Sequence, residues 1–206
     1  MLFHSYVFLF AFLPITWIAF ILIKRHLSGR AAMVWVTLAS FFFYGWWNPP
    51  FVLLVMLSIG VNFQIGRMLA DPAGTRRKAL LWFGLLFNLI PLGYFKYANF
   101  LADIWADLTG TQAVQISSIL PLAISFYTFQ KVGYLVDAYK TRKAEHDLVD
   151  FSLFVMFFPQ LIAGPIVRHE EILPQIKRSV NTPIRGVMVA AGLSLVAVGL
   201  FKKVFI

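Results

Sequence analysis

Long apolar runs separated by short basic loops constrain the fold of this chain more than any other feature. Of its 206 residues, 60% are hydrophobic and 13% are charged, whereas a soluble domain carries about 25% charged residues. A transmembrane helix needs roughly 20 apolar residues, within a range of about 17–25. Runs near this length occupy residues 6–23, 31–47, 51–65, 79–95, 151–167 and 187–201, and another ends near Asp137. We therefore predict an all-α, polytopic transmembrane helix bundle of about six or seven membrane segments, in a single membrane domain over residues 1–206.

The positions of the basic residues predict the orientation of these segments. Three Lys or Arg residues lie at 24–30, four at 66–78 and three at 140–147, whereas the turn at 48–50 has none. Cytoplasmic loops carry such an excess of Lys and Arg, so we expect an outside N-terminus and about five crossings by Asp137. The net charge of +9 is therefore explained by topology, and no nucleic-acid partner is predicted.

Residues 151–167 either cross the membrane or enter it and return to the same side. Pro159 and a Gly-Pro pair interrupt this apolar run, and both residue types break helices. The basic residues that follow it favour re-entry, whereas Lys202 and Lys203 after the last run also favour the cytoplasm. Both preferences cannot hold if both segments cross, so we expect that one of them does not. Those basic residues after 151–167 are Arg168, Lys177, Arg178 and Arg185.

Residues 98–118 form the least hydrophobic stretch between the predicted spans. We predict an amphipathic surface helix at 99–108 and a polar loop at 109–118. The chain stops on an apolar run without a capping or tail signal, and we interpret it as a fragment of a longer protein.

A polar stripe is predicted along the segment that ends near residue 137. At about 100° per residue, the side chains of Tyr127, Gln130, Lys131, Tyr134 and Asp137 fall within an arc of about 120°. Charged groups that face lipid cost about 2.5–3.5 kcal/mol at the midplane, so the stripe should face the bundle interior. We interpret Tyr127, Gln130 and Tyr134 as the lining of a hydrophilic pocket. The alternative is that Lys131 and Asp137 snorkel to the membrane surface and only anchor the helix.

Arg168 is the fourth candidate pocket residue. A guanidinium shortly after the Gly-Pro pair can hold a phosphate, a carboxylate or a helix C-terminus. An equally supported alternative is that Arg168 only anchors the segment at the membrane surface. His169 precedes two glutamates, but consecutive helical side chains point apart. The chain has no cysteine, metal-ligand cluster, Ser-His-Asp order, P-loop or dinucleotide motif. We therefore predict no catalytic residue, metal or bound cofactor within this chain, and transporter and membrane enzyme both remain open.

Short motifs in a fixed order carry a resemblance to a known family. They lie at residues 43–49 (FYGWWNP), 121–130 (PLAISFYTFQ), 134–139 (YLVDAY), 158–168 (FPQLIAGPIVR), 173–175 (LPQ) and 199–203 (GLFKK). Together they resemble the membrane-bound O-acyltransferase (MBOAT) family, and in particular its bacterial branch for alginate and polysaccharide O-acetylation.

The resemblance implies a helix bundle around a funnel or tunnel in the lipid of the bacterial inner membrane. It also implies transfer of an acetyl group from a cytoplasmic donor, acetyl-CoA, towards hydroxyls of an exopolysaccharide such as alginate. Periplasmic acetyltransferase partners and a polysaccharide as final acceptor are part of the same implication. Alternatives are D-alanyl transfer to teichoic acid by the same family, a transporter or flippase, and a non-catalytic binding protein.

The family's catalytic base is a histidine within an apolar segment of the second half of the protein, and no residue here matches it. Because His169 lies beside the Gly-Pro motif, it is not that residue. We therefore expect the base to lie beyond Ile206, and this N-terminal portion of a longer enzyme to be inactive alone.

Overall fold

The described part of the chain folds into helices joined by short loops. A computed structural model describes residues 3–111, 119–162, 164, 165 and 167–205, with side chains up to Lys202. Its helices are α1 (Leu13–His26, after the π-helical Phe8–Phe12), α2 (Gly29–Gly45), α3 (Pro50–Ala70), α4 (Arg77–Thr109), α5 (Ile124–Thr141), α6 (Leu148–Met156), α7 (Phe158–Leu161), α8 (His169–Asn181) and α9 (Gly186–Phe205). No strand occurs in these ranges, which confirms the all-α prediction.

Several helices have the length and composition of membrane spans. Within the described residues, three are long and apolar enough to cross: Phe8–His26, Pro50–Ala70 and Arg77–Thr109. Helix α2 has 17 residues, and shorter apolar helices lie at Leu148–Leu161 and Gly186–Lys202. This arrangement is compatible with the predicted polytopic bundle.

Helix α4 differs from its prediction. It runs unbroken for 33 residues through Pro91, so the separate surface helix predicted at 99–108 is wrong, and those residues continue α4. Proline removes only one backbone donor from a helix that packing on α3 and α5 supports. The helix ends at Gly110, whose φ of 66° is left-handed, as is common after helices. Residues 112–118 of the predicted polar loop lie outside the described residues.

Helix α6 is the central element of the bundle. It packs against α2, α3, α5 and α8, and every residue from Asp150 to Met156 is buried. The Asp147 side chain caps its first turn by accepting hydrogen bonds from the N–H groups of Val149 and Asp150. Pro159 has no N–H for the carbonyl of Val155, so the helix breaks before α7. Nine residues span about 14 Å, which is too short to cross a bilayer core of about 30 Å.

The segment that contains α6 and α7 returns to the side from which it starts. Asp150, near its beginning, lies 2.7 Å from Lys177 of α8, and Glu145 lies 3.3 Å from His169 at the start of α8. The same face holds Arg30 at the start of α2, 2.6 Å from Asp150. Of the two predicted alternatives for residues 151–167, the structure therefore has re-entry.

Helix α9 leaves from this same face beside α1. The Lys24 ammonium at the end of α1 donates to the carbonyl of Ser179, at 3.1 Å, and to that of Thr182. Further along, Leu200 shares an apolar groove with Leu9, at the opposite end of α1 from Lys24. The two helices therefore run antiparallel. The end of α9 that carries Lys202 and Lys203 lies on the opposite side of the bundle from the basic loops, whereas the positive-inside rule predicted the same side.

Candidate functional site

The polar stripe of α5 lies inside the bundle. Tyr127, Gln130, Lys131 and Tyr134 are 2%, 3%, 1% and 4% exposed, and Asp137 is partly buried. Because α5 packs on both α3 and α4, these four side chains face neighbouring helices. The inward orientation is confirmed, and the alternative in which Lys131 snorkels to the membrane surface is wrong.

A layer of polar side chains surrounds Lys131 between α3, α4 and α5. Its ammonium donates to the hydroxyl of Ser58 and lies 4.6 Å from the centre of the Tyr127 ring. Beside it, the amides of Asn62 and Asn88 are joined by two hydrogen bonds of 3.2 and 2.6 Å. A cavity of about 210 Å³ is bordered by Ser58, Asn88, Tyr127 and Lys131. Side chains from three helices therefore converge on one buried polar space.

Gln130 is a second buried polar side chain of α5. Neither its amide nitrogen nor its amide oxygen has a hydrogen-bond partner among the described residues. The hydroxyls of Tyr44 and Tyr127 are close enough to interact, but neither makes a well-formed hydrogen bond there. An unsatisfied buried polar group costs about 1–3 kcal/mol. This group of side chains can therefore offer donors and acceptors to a substrate or to another polypeptide segment.

Tyr134 lies at the other end of the stripe, under the re-entrant segment. Its hydroxyl accepts a hydrogen bond of 3.2 Å from the N–H of Glu145, and its ring centre lies 4.6 Å from that of Phe151. A Cβ atom on Gly66 would lie 2.7 Å from Cζ of Tyr134, so only glycine leaves room for this ring. Tyr134 also lines a cavity of about 280 Å³ together with His169.

Ion pairs lie beside this second cavity, on the face that carries the basic loops, and Glu145, His169 and Lys177 also line the cavity. Arg30 lies 2.5 Å from Asp147 and 2.6 Å from Asp150, and Lys177 lies 2.7 Å from Asp150. Glu145 lies between His169, at 3.3 Å, and Lys177, at 3.8 Å. The ion pairs thus join α2, the loop before α6, and α8.

The ion pairs shift the pKa values of their members. Burial raises the pKa of Glu145, but the approach of His169, the charge of Lys177 and the N–H of Asp147 outweigh it and hold the pKa below its ordinary value. The hydrogen bond to Asp150 raises the pKa of Lys177 above its ordinary value. Both shifts favour the charged forms of Glu145 and Lys177. No group of three potential metal ligands occurs in the described part of the chain.

Arg168 lies apart from the other candidate residues. It is exposed at the N-cap of α8 and lines neither of the two cavities. Sequence reasoning missed Gln160, whose amide donates to the carbonyl of Pro165 at 3.0 Å. The N–H of Gly164 in turn donates to the carbonyl of Gln160 at 2.9 Å. Gln160 thus supplies the partner that a Gly-Pro break inside a membrane segment requires.

The apolar helices and the polar side chains buried between them are those of a helical membrane protein. The chain belongs to the membrane-bound O-acyltransferase (MBOAT) family, whose sequence profile matches residues 75–206. Tyr127, Gln130, Tyr134 and Arg168 all lie within the matched range, and their role as pocket residues stays a prediction.

Several curated relatives match the whole chain. It is 35% identical to a peptidoglycan O-acetyltransferase of Helicobacter pylori, covering 100% of this chain and 44% of the relative. It is 38% identical to a probable alginate O-acetylase of Pseudomonas aeruginosa, covering 100% of this chain and 40% of the relative, and 36% identical to one of Azotobacter vinelandii, with 100% and 41%. The chain thus spans less than half the length of these relatives. No solved structure matches it.

Proposed function

We propose that this chain is part of a membrane-bound enzyme that transfers acetyl groups to hydroxyls of a cell-envelope polysaccharide. The observation that carries the proposal is an identity of 35–38% to relatives named as O-acetylating enzymes, over 100% of this chain. The acceptors in their names, peptidoglycan and alginate, are both polysaccharides. The acceptor class is therefore better supported than either polymer alone.

The proposed chemistry is acyl transfer from a thioester. A general base removes the proton of a sugar hydroxyl, and the oxygen attacks the acetyl carbonyl. The bond between the carbonyl carbon and sulfur then breaks, and the donor leaves as its thiolate. We propose acetyl-CoA as the cytoplasmic donor, periplasmic acetyltransferase proteins as partners, and the bacterial inner membrane as the location. The base is proposed to be a histidine outside these 206 residues. A water-poor path through the bundle would limit hydrolysis of the acyl group.

The buried stripe of α5 supports a role in guiding the reactants. Gln130 and Tyr127 present unsatisfied polar atoms inside the bundle, where hydrogen bonds to a substrate are strong because water does not compete. The names of the relatives favour acetyl transfer over D-alanyl transfer, which would use the same fold. No observation on the described residues specifically favours a transporter.

The proposal is tested by chemical analysis of the cell envelope. The gene is deleted and then restored with its full-length product, and alginate-type polymer, peptidoglycan and teichoic acid are purified separately. Base-released acetate and D-alanine are measured for each polymer. We expect acetate to fall on deletion and to return on complementation, with D-alanine unchanged. Loss of D-alanine alone would establish the D-alanyl alternative, and unchanged levels of both would refute acyl transfer to these polymers.

A further inference from the structure

Lys131 holds an ammonium group deep in the bundle. The residue is 1% exposed. Its ammonium contacts the Ser58 hydroxyl and the face of the Tyr127 ring, whose centre is 4.6 Å away. An ammonium has three N–H donors and a full positive charge. A hydroxyl oxygen and an aromatic face satisfy only part of this capacity, because neither carries a negative charge.

No acidic residue balances this charge within the described ranges. The ion pairs found there join Arg30, His169 and Lys177 to Glu145, Asp147 and Asp150, and none includes Lys131. The neighbouring amides of Asn62 and Asn88 are hydrogen-bonded to each other and supply no charge. A buried charge needs a counter-charge to offset its lost hydration. An anion beside Lys131 would supply this counter-charge.

The cavity beside Lys131 limits the size and polarity of that anion. Its volume is about 210 Å³, which is too small for a nucleotide or a complete lipid. A free sugar would need several hydrogen-bond partners, whereas most of the wall is hydrocarbon. The apolar wall consists of Leu54, Leu57, Phe87, Pro91 and Ile124. The polar lining comes from Ser58, Asn88, Tyr127, Thr128 and Lys131. A ligand that fits has one anionic end and a short apolar body.

We propose that this cavity binds a small carboxylate of the acetate-to-butyrate class. The carboxylate oxygens accept charge-assisted hydrogen bonds from the Lys131 ammonium, and the alkyl part lies against Leu54 and Leu57. Leu57 is 60% exposed, so the ligand enters between α3 and α4, where that side chain borders the cavity.

Direct binding tests the proposal on the full-length protein in detergent. Binding of ¹³C-labelled acetate, propionate and butyrate is measured by saturation-transfer NMR, with acetamide as the uncharged analogue. Lys131→Met removes the charge and keeps the length of the side chain, and Lys140→Met changes an exposed lysine of the same helix. We expect the wild type and Lys140→Met to bind the carboxylates alike, and Lys131→Met to bind them roughly tenfold more weakly or worse. None of the three proteins should bind acetamide.

Thermal unfolding separates a free carboxylate from an acidic side chain elsewhere in the enzyme. If the site takes a free anion, Lys131→Met without ligand unfolds at the same temperature as the wild type or higher, because it removes an unpaired buried charge. If Lys131 already pairs with an acidic residue outside the described ranges, the substitution lowers the midpoint and sodium butyrate has no effect on the wild type. That result overturns the proposal, as does equal carboxylate binding by Lys131→Met and wild type.

A second variant keeps the test decisive if Lys131→Met does not fold. Leu57→Trp retains the ammonium and fills the mouth of the cavity from an exposed position. It should abolish butyrate binding and weaken acetate binding less. Unchanged butyrate binding in Leu57→Trp would overturn the proposal. Both readouts measure binding and stability, so they are independent of whether acetyl transfer is confirmed.

Discussion

Replacing Gln130 by leucine should raise thermal stability and lower acetyl transfer at once. Gln130 is 3% exposed, and its amide nitrogen and oxygen lack partners among the described residues. Each such group costs about 1–3 kcal/mol, and leucine has a similar volume without either group. The lower end of this range, taken for two groups, gives a stabilisation of about 2 kcal/mol. About 2 kcal/mol corresponds to a rise of roughly 4–8 °C in Tm for 150–250 residues, and to a smaller rise for a longer chain.

The activity of the same variant should move in the opposite direction. If Gln130 donates to or accepts from a reactant, its loss removes a buried hydrogen bond that contributes about 1.5 kcal/mol or more, equivalent to roughly a tenfold lower rate. Tm is measured on the full-length protein in detergent, and base-released acetate is measured on the purified polysaccharide at matched protein levels. Gln64→Leu, which changes an exposed glutamine of α3, should leave both quantities unchanged.

Two results would refute this reasoning. A lower Tm for Gln130→Leu would mean that the amide is hydrogen-bonded by residues outside the described ranges and is structural. Unchanged acetate at equal protein level would mean that Gln130 does not contact a reactant.

Three further changes test the Gly-Pro break and the ion cluster. Gly164→Ala places a Cβ 2.8 Å from the carbonyl oxygen of Gln160 and should cost about 1–3 kcal/mol, measured as a lower Tm; Gly133→Ala, which meets no atom within 4 Å, should not. Asp150→Asn removes the charge that Arg30 and Lys177 share, and proteolysis of the α8 region should accelerate at least severalfold; an unchanged rate would show that the ion pairs do not hold α8. The lowered pKa of Glu145 predicts a stability contribution that is complete above the unfolded pKa of about 4.3 and is lost as pH falls through the lower folded value. Glu145→Gln should flatten that part of the Tm–pH curve, and an unaltered curve would contradict this assignment.

The inward orientation of α5 could be predicted because it depends only on the helix's own sequence and on the cost of exposing polar groups to lipid. The spacing of Tyr127, Gln130 and Tyr134 follows from the helical period, and the cost of polar groups in lipid determines which way that face turns. The sequence left two alternatives for residues 151–167, crossing and re-entry. Charge in the following loop indicated a side, and only the contact of Asp150 with Lys177 distinguishes re-entry from crossing.

The partners of the polar residues could not be predicted, because they are brought together by tertiary packing. His169 was considered beside its neighbours in sequence, whereas the structure places it 3.3 Å from Glu145. Lys131 was weighed as a surface anchor because nothing local shows that Ser58 of another helix meets it. Helix α4 continued through Pro91 because neighbouring helices support it, a contribution that local propensity does not contain.

The short central helix α6 has a consequence for the order in which the protein is assembled. With nine residues, it is too short to be retained in the bilayer as an independent span, and its sides are covered by α2, α3, α5 and α8. We therefore expect α6 to insert from the face on which its segment begins and ends, after α2, α3 and α5 have packed together. The ion pairs of α8 with Glu145 and Asp150 should then hold the inserted segment in place.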